Sequence, residues 1–329
     1  MRRMEDPRLD WRPLTTQDAA ACAAVRAAAE SVDDTGESYS AQDFLDDLAS
    51  SSLDRERGTI GAFADGVLVA MAALSARTAA NPVHEMHVWG SVRPDWRGRG
   101  IGSGLLDWAE RNAPVISELR FPGAPLRLQQ YVYDKMPDYV ALLESRGYTV
   151  HHYDFGMLRP ISADEAHRAP ILPEGFALVP FGPAVAEEFR LTHNEAFVPD
   201  HPGTTVVPPE VFAERVGTSA FRADLSLGLR DEVSGALAGY VMSEYYEADT
   251  QATGLRDVYL NYVATRREFR GRGVAAALIT SVLHAAAEQG FDTASLSVLA
   301  EHPTGALSLY QRLGFEARRT FAAYVKHLS

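Results

Sequence analysis

The sequence predicts an α/β protein with two tandem domains, each a mostly antiparallel mixed sheet flanked by helices. A glycine-rich run occurs twice, at residues 96–102 and 269–275, and each copy follows a strand-like stretch and precedes an apolar helical pattern. Each half also closes on a helical pattern that ends in glycine, a natural helix C-cap. The 329 residues are enough for two domains of roughly 150 residues, each with its own core.

The elements follow the same order in both halves, β-α-β-β-β-α-β-α-β. Alternating apolar residues and glycine-containing turns predict the strands, and 3.6-residue periodicity predicts the helices. In the first half we predict strands at 10–14, 59–63, 67–73, 85–92 and 126–132, and a helix at 19–29. In the second half we predict strands at 176–181, 225–229, 236–243, 257–265 and 294–299, and a helix at 185–196.

Three prolines mark the segment between the halves. Pro160, Pro170 and Pro173 lie among polar residues, which is typical of a linker. We therefore predict an N-terminal domain over residues 8–160, a linker over 161–173 and a C-terminal domain over 174–329. Two insertions of low apolar periodicity, 31–52 and 199–218, are either helical lids or plain loops.

Composition excludes several classes of function. A formal net charge of −13 argues against nucleic acid or an anionic membrane as the main partner, because both require clustered basic surface. No apolar run is long enough to span a membrane, and the N-terminus lacks the apolar region of a signal peptide, so we expect a cytoplasmic protein. Cys22 is the single cysteine, so an intrachain disulfide and a thiolate zinc site are excluded, and we expect no metal.

The glycine runs suit phosphate binding. Glycines at this spacing crowd backbone N–H groups at the start of a helix, where unpartnered donors and the helix dipole favour an anion. The Gly-x-Gly-x-x-Gly frame of dinucleotide-binding folds is not met cleanly, and no Gly-Lys-Ser/Thr follows as in a P-loop. A glycine-rich turn without a ligand remains an alternative, although the repetition in the same context makes it less favourable.

The motif order resembles the GNAT superfamily of acyl-CoA N-acyltransferases. Arg-x-x-Gly-x-Gly/Ala follows a strand, and a later helix ends in Leu-Tyr-x-x-x-Gly-Phe, which contains Tyr310 and Gly314. The two-domain layout is similar to that of mycothiol synthase. The resemblance implies acetyl-CoA as co-substrate and a primary amine of a small molecule as acceptor. It leaves open the acyl-chain length and whether the protein is a monomer or a homodimer.

The resemblance also implies a set of coenzyme-binding residues. In the second half the loop residues that wrap the pyrophosphate are Arg270, Gly271, Arg272, Gly273, Val274 and Ala275. The backbone of the preceding strand pairs with the pantetheine arm at Val263 and Thr265, and a free amide near Val263 polarises the thioester carbonyl. The corresponding first-half residues are Val92, Arg97, Gly98, Arg99, Gly100, Ile101 and Gly102.

Tyr310 is the predicted general acid, because the family commonly uses the tyrosine of this segment to protonate the departing thiolate. Aligning the two closing glycines places Leu143 opposite Tyr310, and leucine cannot donate a proton. The C-terminal domain is therefore the predicted catalyst, and the N-terminal domain is interpreted as degenerate.

The general base is less well defined. Tyr259 stands where histone-acetylating relatives carry a glutamate, so Asp257, on the same strand face, is the first candidate and Tyr259 the second. Simpler interpretations stay open: Tyr310 only packs in the domain core, and Asp257 is only a solvated charge at a strand end. Two alternative functions also stay open, acetylation of a cysteinyl pseudodisaccharide and a non-catalytic acyl-CoA-binding protein.

Overall fold

The computed structural model describes residues 8–199, 204–301 and 305–328. The strands in these ranges are β1 (Leu9–Arg12), β2 (Thr59–Ala64), β3 (Val67–Ala76), β4 (His84–Val92), β5 (Leu126–Tyr133), β6 (Thr149–Pro160), β7 (Phe176–Pro180), β8 (Phe221–Asp231), β9 (Leu237–Glu244), β10 (Asp257–Thr265), β11 (Thr293–Leu299) and β12 (Glu316–Leu328). The α-helices are α1 (Ala19–Asp33), α2 (Ala41–Ala49), α3 (Ile101–Arg120), α4 (Pro137–Ser145), α5 (Ala186–Phe197), α6 (Pro209–Val216), α7 (Glu247–Thr253), α8 (Val274–Glu288) and α9 (Ala306–Arg312).

The chain forms two compact units. The first contains the chain through Tyr153 together with the segment from Phe321 onward, and the second runs from Asp154 to Thr320. These units differ from the predicted division at two places. Residues 154–160, predicted to end the N-terminal domain, lie in the second unit, and the C-terminal strand from Phe321 lies in the first.

In the first unit the strand order is β1-β2-β3-β4-β5-β12. The β4–β5 pair is parallel, from His84↔Leu126 to His87↔Gln129, and the other pairs are antiparallel. Strand β12 contributes only its last part, with Phe321 opposite Tyr133. The C-terminal end of the chain therefore completes a sheet that begins at residue 9.

The second unit repeats this order with β7-β8-β9-β10-β11-β6. The β10–β11 pair is parallel and the others are antiparallel. Its last strand is residues 154–160 of β6, which pair with β11 and come from the sequence before the linker. The predicted fold class of helix-flanked mixed sheets is confirmed.

The cores follow the predicted periodicity. In the first unit Ile101 and Trp108 of α3 are buried against β3 and β4 residues such as Met86. In the second, Leu278 and Val282 of α8 are fully buried in the core that α8 forms with β8, β9 and β10. Both insertions contain a short helix, α2 in 31–52 and α6 in 199–218, although residues 200–203 lie outside the described part. Across the described residues no helix is both long and apolar enough to cross a membrane.

Candidate functional site

The second glycine run forms the start of α8. Gly271 and Gly273 have φ angles of 73° and 80°, in the left-handed region that glycine adopts without strain. Gly273 caps the helix, and the first intrahelical bond that follows it is donated by Ala277 N to Gly273 O at 3.0 Å. The amides of Val274, Ala275 and the next residue therefore have no partner within the helix. Such a helix terminus suits an anion, and the predicted binding of phosphate here stays a prediction.

Strand β10, which leads into this loop, separates from its parallel neighbour β11 early along its length. The β10–β11 ladder covers only Asp257, Val258 and Tyr259. On its other edge β10 pairs with β9 across a register shift between Leu260 and Tyr262, which places a bulge at Asn261. A cleft therefore opens between β10 and β11 beyond Tyr259.

The backbone of β10 turns polar groups into this cleft. Arg266 N donates to Ala238 O at 2.9 Å, so alternate residues back along β10 bond to β9. The amides and carbonyls of Val263 and Thr265 then point the other way, toward the cleft. The guanidinium Nε of Arg270 donates to Thr265 O at 3.2 Å and ties the loop to the strand end.

A cavity of about 740 Å³ occupies the cleft. It brings together most of the second-half residues that the sequence singled out: Val263, Thr265, Arg270, Gly271, Gly273, Val274, Ala275 and Tyr310. Ala196 and Phe197 of α5 line it from one face of the sheet, and Leu309 of α9 lines it from the other. The cavity therefore reaches both faces through the gap between β10 and β11.

Arg272 is placed differently from the rest of its loop. Its guanidinium lies over the Phe176 ring, 4.5 Å from the centroid, and 3.3 Å from the carboxylate of Asp231. It lines a second cavity of about 770 Å³, formed with Arg159 of β6, the linker segment and the outer face of α8. The structure thus separates Arg272 from the wall of the first cavity, and its predicted contact with phosphate stays a prediction.

Tyr310 enters the cavity from α9. The side chain is 8% exposed and meets Phe315 edge-to-face, with the ring centroids 6.1 Å apart. Burial raises the pKa of its hydroxyl to about 12. The phenol therefore keeps its proton at neutral pH, as a proton donor must.

The two predicted base candidates lie outside the wall of this cavity. Asp257 accepts hydrogen bonds from Thr293 Oγ1 at 2.6 Å and from Ser295 Oγ, both on β11. Burial raises its pKa, although these two hydroxyls oppose the shift. Tyr259 is the last residue of the parallel ladder. The structure therefore brings Tyr310 to the cavity but places both base candidates in the closed part of the sheet.

Asp154 is a cavity residue that the sequence analysis missed. Its side chain is 9% exposed, and it lies opposite Leu299 in the β6–β11 ladder. Asp154 precedes the linker, so a search of the second half alone does not contain it. The acid at the start of an apolar strand stretch, followed by Phe155 and Met157, is a local signal that could have drawn attention to it.

The first glycine run has the same backbone but different neighbours. Gly98 and Gly100 have φ angles of 72° and 83°, and Arg97 Nε donates to Val92 O at 3.1 Å. The Arg97 guanidinium also forms a bidentate ion pair with Asp33 at the end of α1, at 2.6 and 2.7 Å. Arg99 lies over the ring of Trp96. Ile101 and Gly102 begin α3, as Val274 and Ala275 begin α8.

The helix that carries Tyr310 also has a counterpart in the first unit. Leu143 of α4 is fully buried in the apolar core. One turn earlier, the hydroxyl of Tyr139 donates to Gln130 Oε1, and burial raises the pKa of Tyr139. The first unit thus keeps the loop, while its closing helix presents an aliphatic side chain where the second presents a phenol.

Comparison with known families decides the classification. The profile of the acetyltransferase (GNAT) family matches residues 24–115 and 191–315, more than half of the chain and both glycine runs. The chain belongs to the GNAT acetyltransferase family. This GNAT chain is 26% identical to the mycothiol acetyltransferase of Saccharomonospora viridis over 236 residues, covering 71% of this chain and 72% of that protein. It is 25% identical over 237 residues to that of Rhodococcus opacus, with 72% and 73% covered.

Solved structures of GNAT proteins agree over nearly the whole chain. A GCN5-related N-acetyltransferase from Sphaerobacter thermophilus aligns with a TM-score of 0.74 at 26% identity, covering 97% of this chain and 96% of that one. A tandem GNAT protein from the clavulanic acid biosynthesis pathway aligns with a TM-score of 0.67 at 17% identity, covering 97% and 98%. The predicted tandem GNAT organisation is confirmed, and the protein is an acyltransferase.

Proposed function

We propose that this protein transfers the acetyl group of acetyl-CoA to a primary amine of a small molecule, and that the C-terminal unit performs the reaction. One observation carries the proposal. A single cavity joins the α8 amides, the cleft edge of β10 and the Tyr310 phenol. Acyl transfer from a thioester requires these three functions: an anion cradle, a donor to the carbonyl and an acid for the leaving sulfur.

The residues present fit the phosphates of coenzyme A. The α8 terminus presents unpartnered amides behind two glycines of positive φ, so no side chain obstructs an approaching pyrophosphate. A Cβ added at Gly271 would meet nothing within 4 Å, so the space next to the loop is open. The Arg270 guanidinium adds positive charge at the same place. Coenzyme A supplies the activated acetyl group as a thioester.

Each of these residues has a separate role in the reaction. The Val263 amide is the donor to the carbonyl oxygen, and the β10 edge orients the pantetheine arm by backbone pairing. The acceptor ammonium loses two protons to solvent, one before its nitrogen bonds to the carbonyl carbon and one after, while the carbon–sulfur bond breaks. Tyr310 Oη gives its proton to the departing sulfur and recovers one from solvent. The products are an acetamide, free coenzyme A and one proton.

A second candidate acceptor is a cysteinyl pseudodisaccharide. The relatives named mycothiol acetyltransferase favour it, since they match about 70% of this chain. Identities of 25–26% leave the acceptor pocket free to differ, and Tyr259 departs from the glutamate of histone-acetylating relatives. This acceptor uses the same cavity and the same acid.

The test is direct. Acetyl-CoA is titrated into the protein by calorimetry, and release of free coenzyme A is then followed with a panel of primary amines that includes a cysteinyl pseudodisaccharide. Binding together with amine-dependent release supports the proposal, and the best acceptor chooses between the two candidates. Binding without release across the panel contradicts it and favours a non-catalytic acyl-CoA-binding protein. No binding at all contradicts both.

A further inference from the structure

The cavity wall carries one carboxylate among its described residues. Asp154 is that residue, and its side chain is 9% exposed. The charged groups that share the wall are the guanidinium groups of Arg270, at the glycine loop, and Arg312, at the end of α9. The wall therefore carries two positively charged groups, those of Arg270 and Arg312, and one negatively charged group, that of Asp154 on β6.

Strand geometry places Asp154 on the side away from α8 and α9. Phe155 and Met157 pack in the core beneath those helices, so Asp154, which alternates with them, points to the opposite face. Tyr310 reaches the cavity from the α9 face. Tyr310 and Asp154 therefore approach the gap between β10 and β11 from opposite faces. This arrangement suits a reaction in which the leaving thiolate lies on one face and the acceptor on the other.

Two other carboxylates near this face, those of Glu244 and Asp257, do not line the cavity. Glu244 accepts from Tyr246 Oη at 2.8 Å and from Asn261 Nδ2, which fixes the bulge residue of β10. Asp257 is held by two hydroxyls of β11. Both lie outside the cavity wall, so Asp154 is the carboxylate that an entering molecule meets.

We propose that Asp154 binds the ammonium group of the acceptor before that group loses its proton, which makes cationic amines without a neighbouring carboxylate the substrate class. The proposal rests on the proposed acetyltransferase function. Because a carboxylate this buried is poorly screened by water, it attracts a cation strongly and repels an acceptor that carries its own carboxylate beside the amine. The acceptor then enters from the face opposite to Tyr310.

The experiment compares Asp154→Asn with the wild type, using the best amine of the panel. We expect the KM for the amine to rise about 10- to 100-fold, because a charge-assisted hydrogen bond is lost, while the acetyl-CoA affinity stays unchanged. Asp154→Glu keeps the charge and should recover part of the affinity. Asp224→Asn, which removes an exposed carboxylate on β8, is the matched control and should leave both constants unchanged.

A paired-acceptor measurement separates a binding role from a structural one. Ethanolamine and tyramine are each compared with the analogue that adds an α-carboxylate, serine and tyrosine. The wild type should prefer the amines, and Asp154→Asn should reduce that preference about tenfold. An unchanged preference, or an unchanged KM in a variant that still binds acetyl-CoA, overturns the role of Asp154. Absence of transfer in the wild type instead overturns the proposed function.

Discussion

The two glycine loops have nearly the same backbone and different surroundings. Their glycine φ angles agree within a few degrees, and in both loops the first arginine ties the loop to the preceding strand. In the first unit, Asp33 takes the guanidinium of Arg97 in a bidentate pair. In the second, Arg270 also donates to the carbonyl of Ala196 at the end of α5. Local sequence thus sets the shape of the loop, whereas residues far away in the chain set its charge.

The strands before the loops differ as well. The β4–β3 register runs without interruption from Ala70↔Val92 to Ala76↔Met86, whereas β10 carries a bulge at Asn261. A bulge changes the direction of the backbone groups that follow it, and Val263 lies two residues after Asn261. The second unit therefore combines a bulged strand, a phenol in the cavity wall and a glycine loop, whereas the first unit has the loop with an uninterrupted β3–β4 register and Leu143 in place of Tyr310. The comparison supports a catalytic second unit.

The largest expected effect comes from blocking one loop at a time. Arg270→Glu/Gly273→Trp should abolish acetyl-CoA binding, because the side chain covers the α8 amides and the new charge repels phosphate. The matched pair Arg97→Glu/Gly100→Trp imposes the same strain on the first loop and should leave binding and turnover nearly intact. Calorimetry measures both. Equal losses in the two variants would contradict the assignment of binding to the second unit.

Replacement of Tyr310 is the next test of the difference between the two units. Tyr310→Phe should lower turnover by about 10²–10⁴ while acetyl-CoA affinity stays near wild type. Tyr139→Phe, which removes a buried phenol from the first unit, is the matched control and should keep its turnover. Because the pKa of Tyr310 is about 12, its loss should not move the acidic limb of the pH–rate profile. Unchanged turnover would remove Tyr310 from the mechanism.

A variant at Asp33 tests whether charge or shape prevents the first loop from binding acetyl-CoA. In the background with the second loop blocked, Asp33→Asn removes a negative charge beside the first loop and releases Arg97. That background should bind no acetyl-CoA, so we expect weak binding to the first loop to appear only when Asp33 is replaced, with a gain in affinity of about 5- to 10-fold, the size of one charge-assisted contact. Calorimetry on this background isolates the first site. No binding with or without Asp33 would show that the shape of the cleft, and not its charge, disables the first loop.

The smallest expected effect on catalysis comes from replacing Glu85. In the second unit the corresponding residue is Val258, which is apolar and buried. Burial alone would raise the pKa of Glu85, but the hydrogen bond to His87 and the charges of Arg77 and Arg127 outweigh it and hold the pKa at about 2. Its stabilisation is complete above its usual pKa of 4.5 and is lost as the pH falls toward 2.

Glu85→Gln should therefore lower the stability of the first unit by up to about 3 kcal/mol at pH 7, and the difference should shrink toward pH 2. Unfolding in urea at several pH values measures this difference. Glu56→Gln, at an exposed carboxylate, is the control and should change little. A constant difference across the pH range would contradict the ionic origin.

Much of the fold could be predicted from the sequence because its signals are local. The 257–265 prediction matches β10, and the helix predicted at 185–196 lies within one residue of α5 at each end. Glycine spacing correctly located the starts of α3 and α8, since only a residue without a Cβ accepts those φ angles without strain. The position of Tyr310 in the cavity also followed from its motif, because helix and turn keep motif residues together.

Only the tertiary structure decided which distant residues meet at those local features. Asp154 joins the cavity of the second unit because β6 pairs with β11, and Asp33 reaches Arg97 across 64 positions. Asp257, plausible as a base by its position on the strand, is instead bound to β11 hydroxyls. The sequence by itself determined two glycine loops at helix starts and the position of one phenol. Contacts between distant segments decided which charged groups lie beside the loops and the phenol. Such contacts leave no periodic or local pattern in the sequence, so they could not be predicted from it.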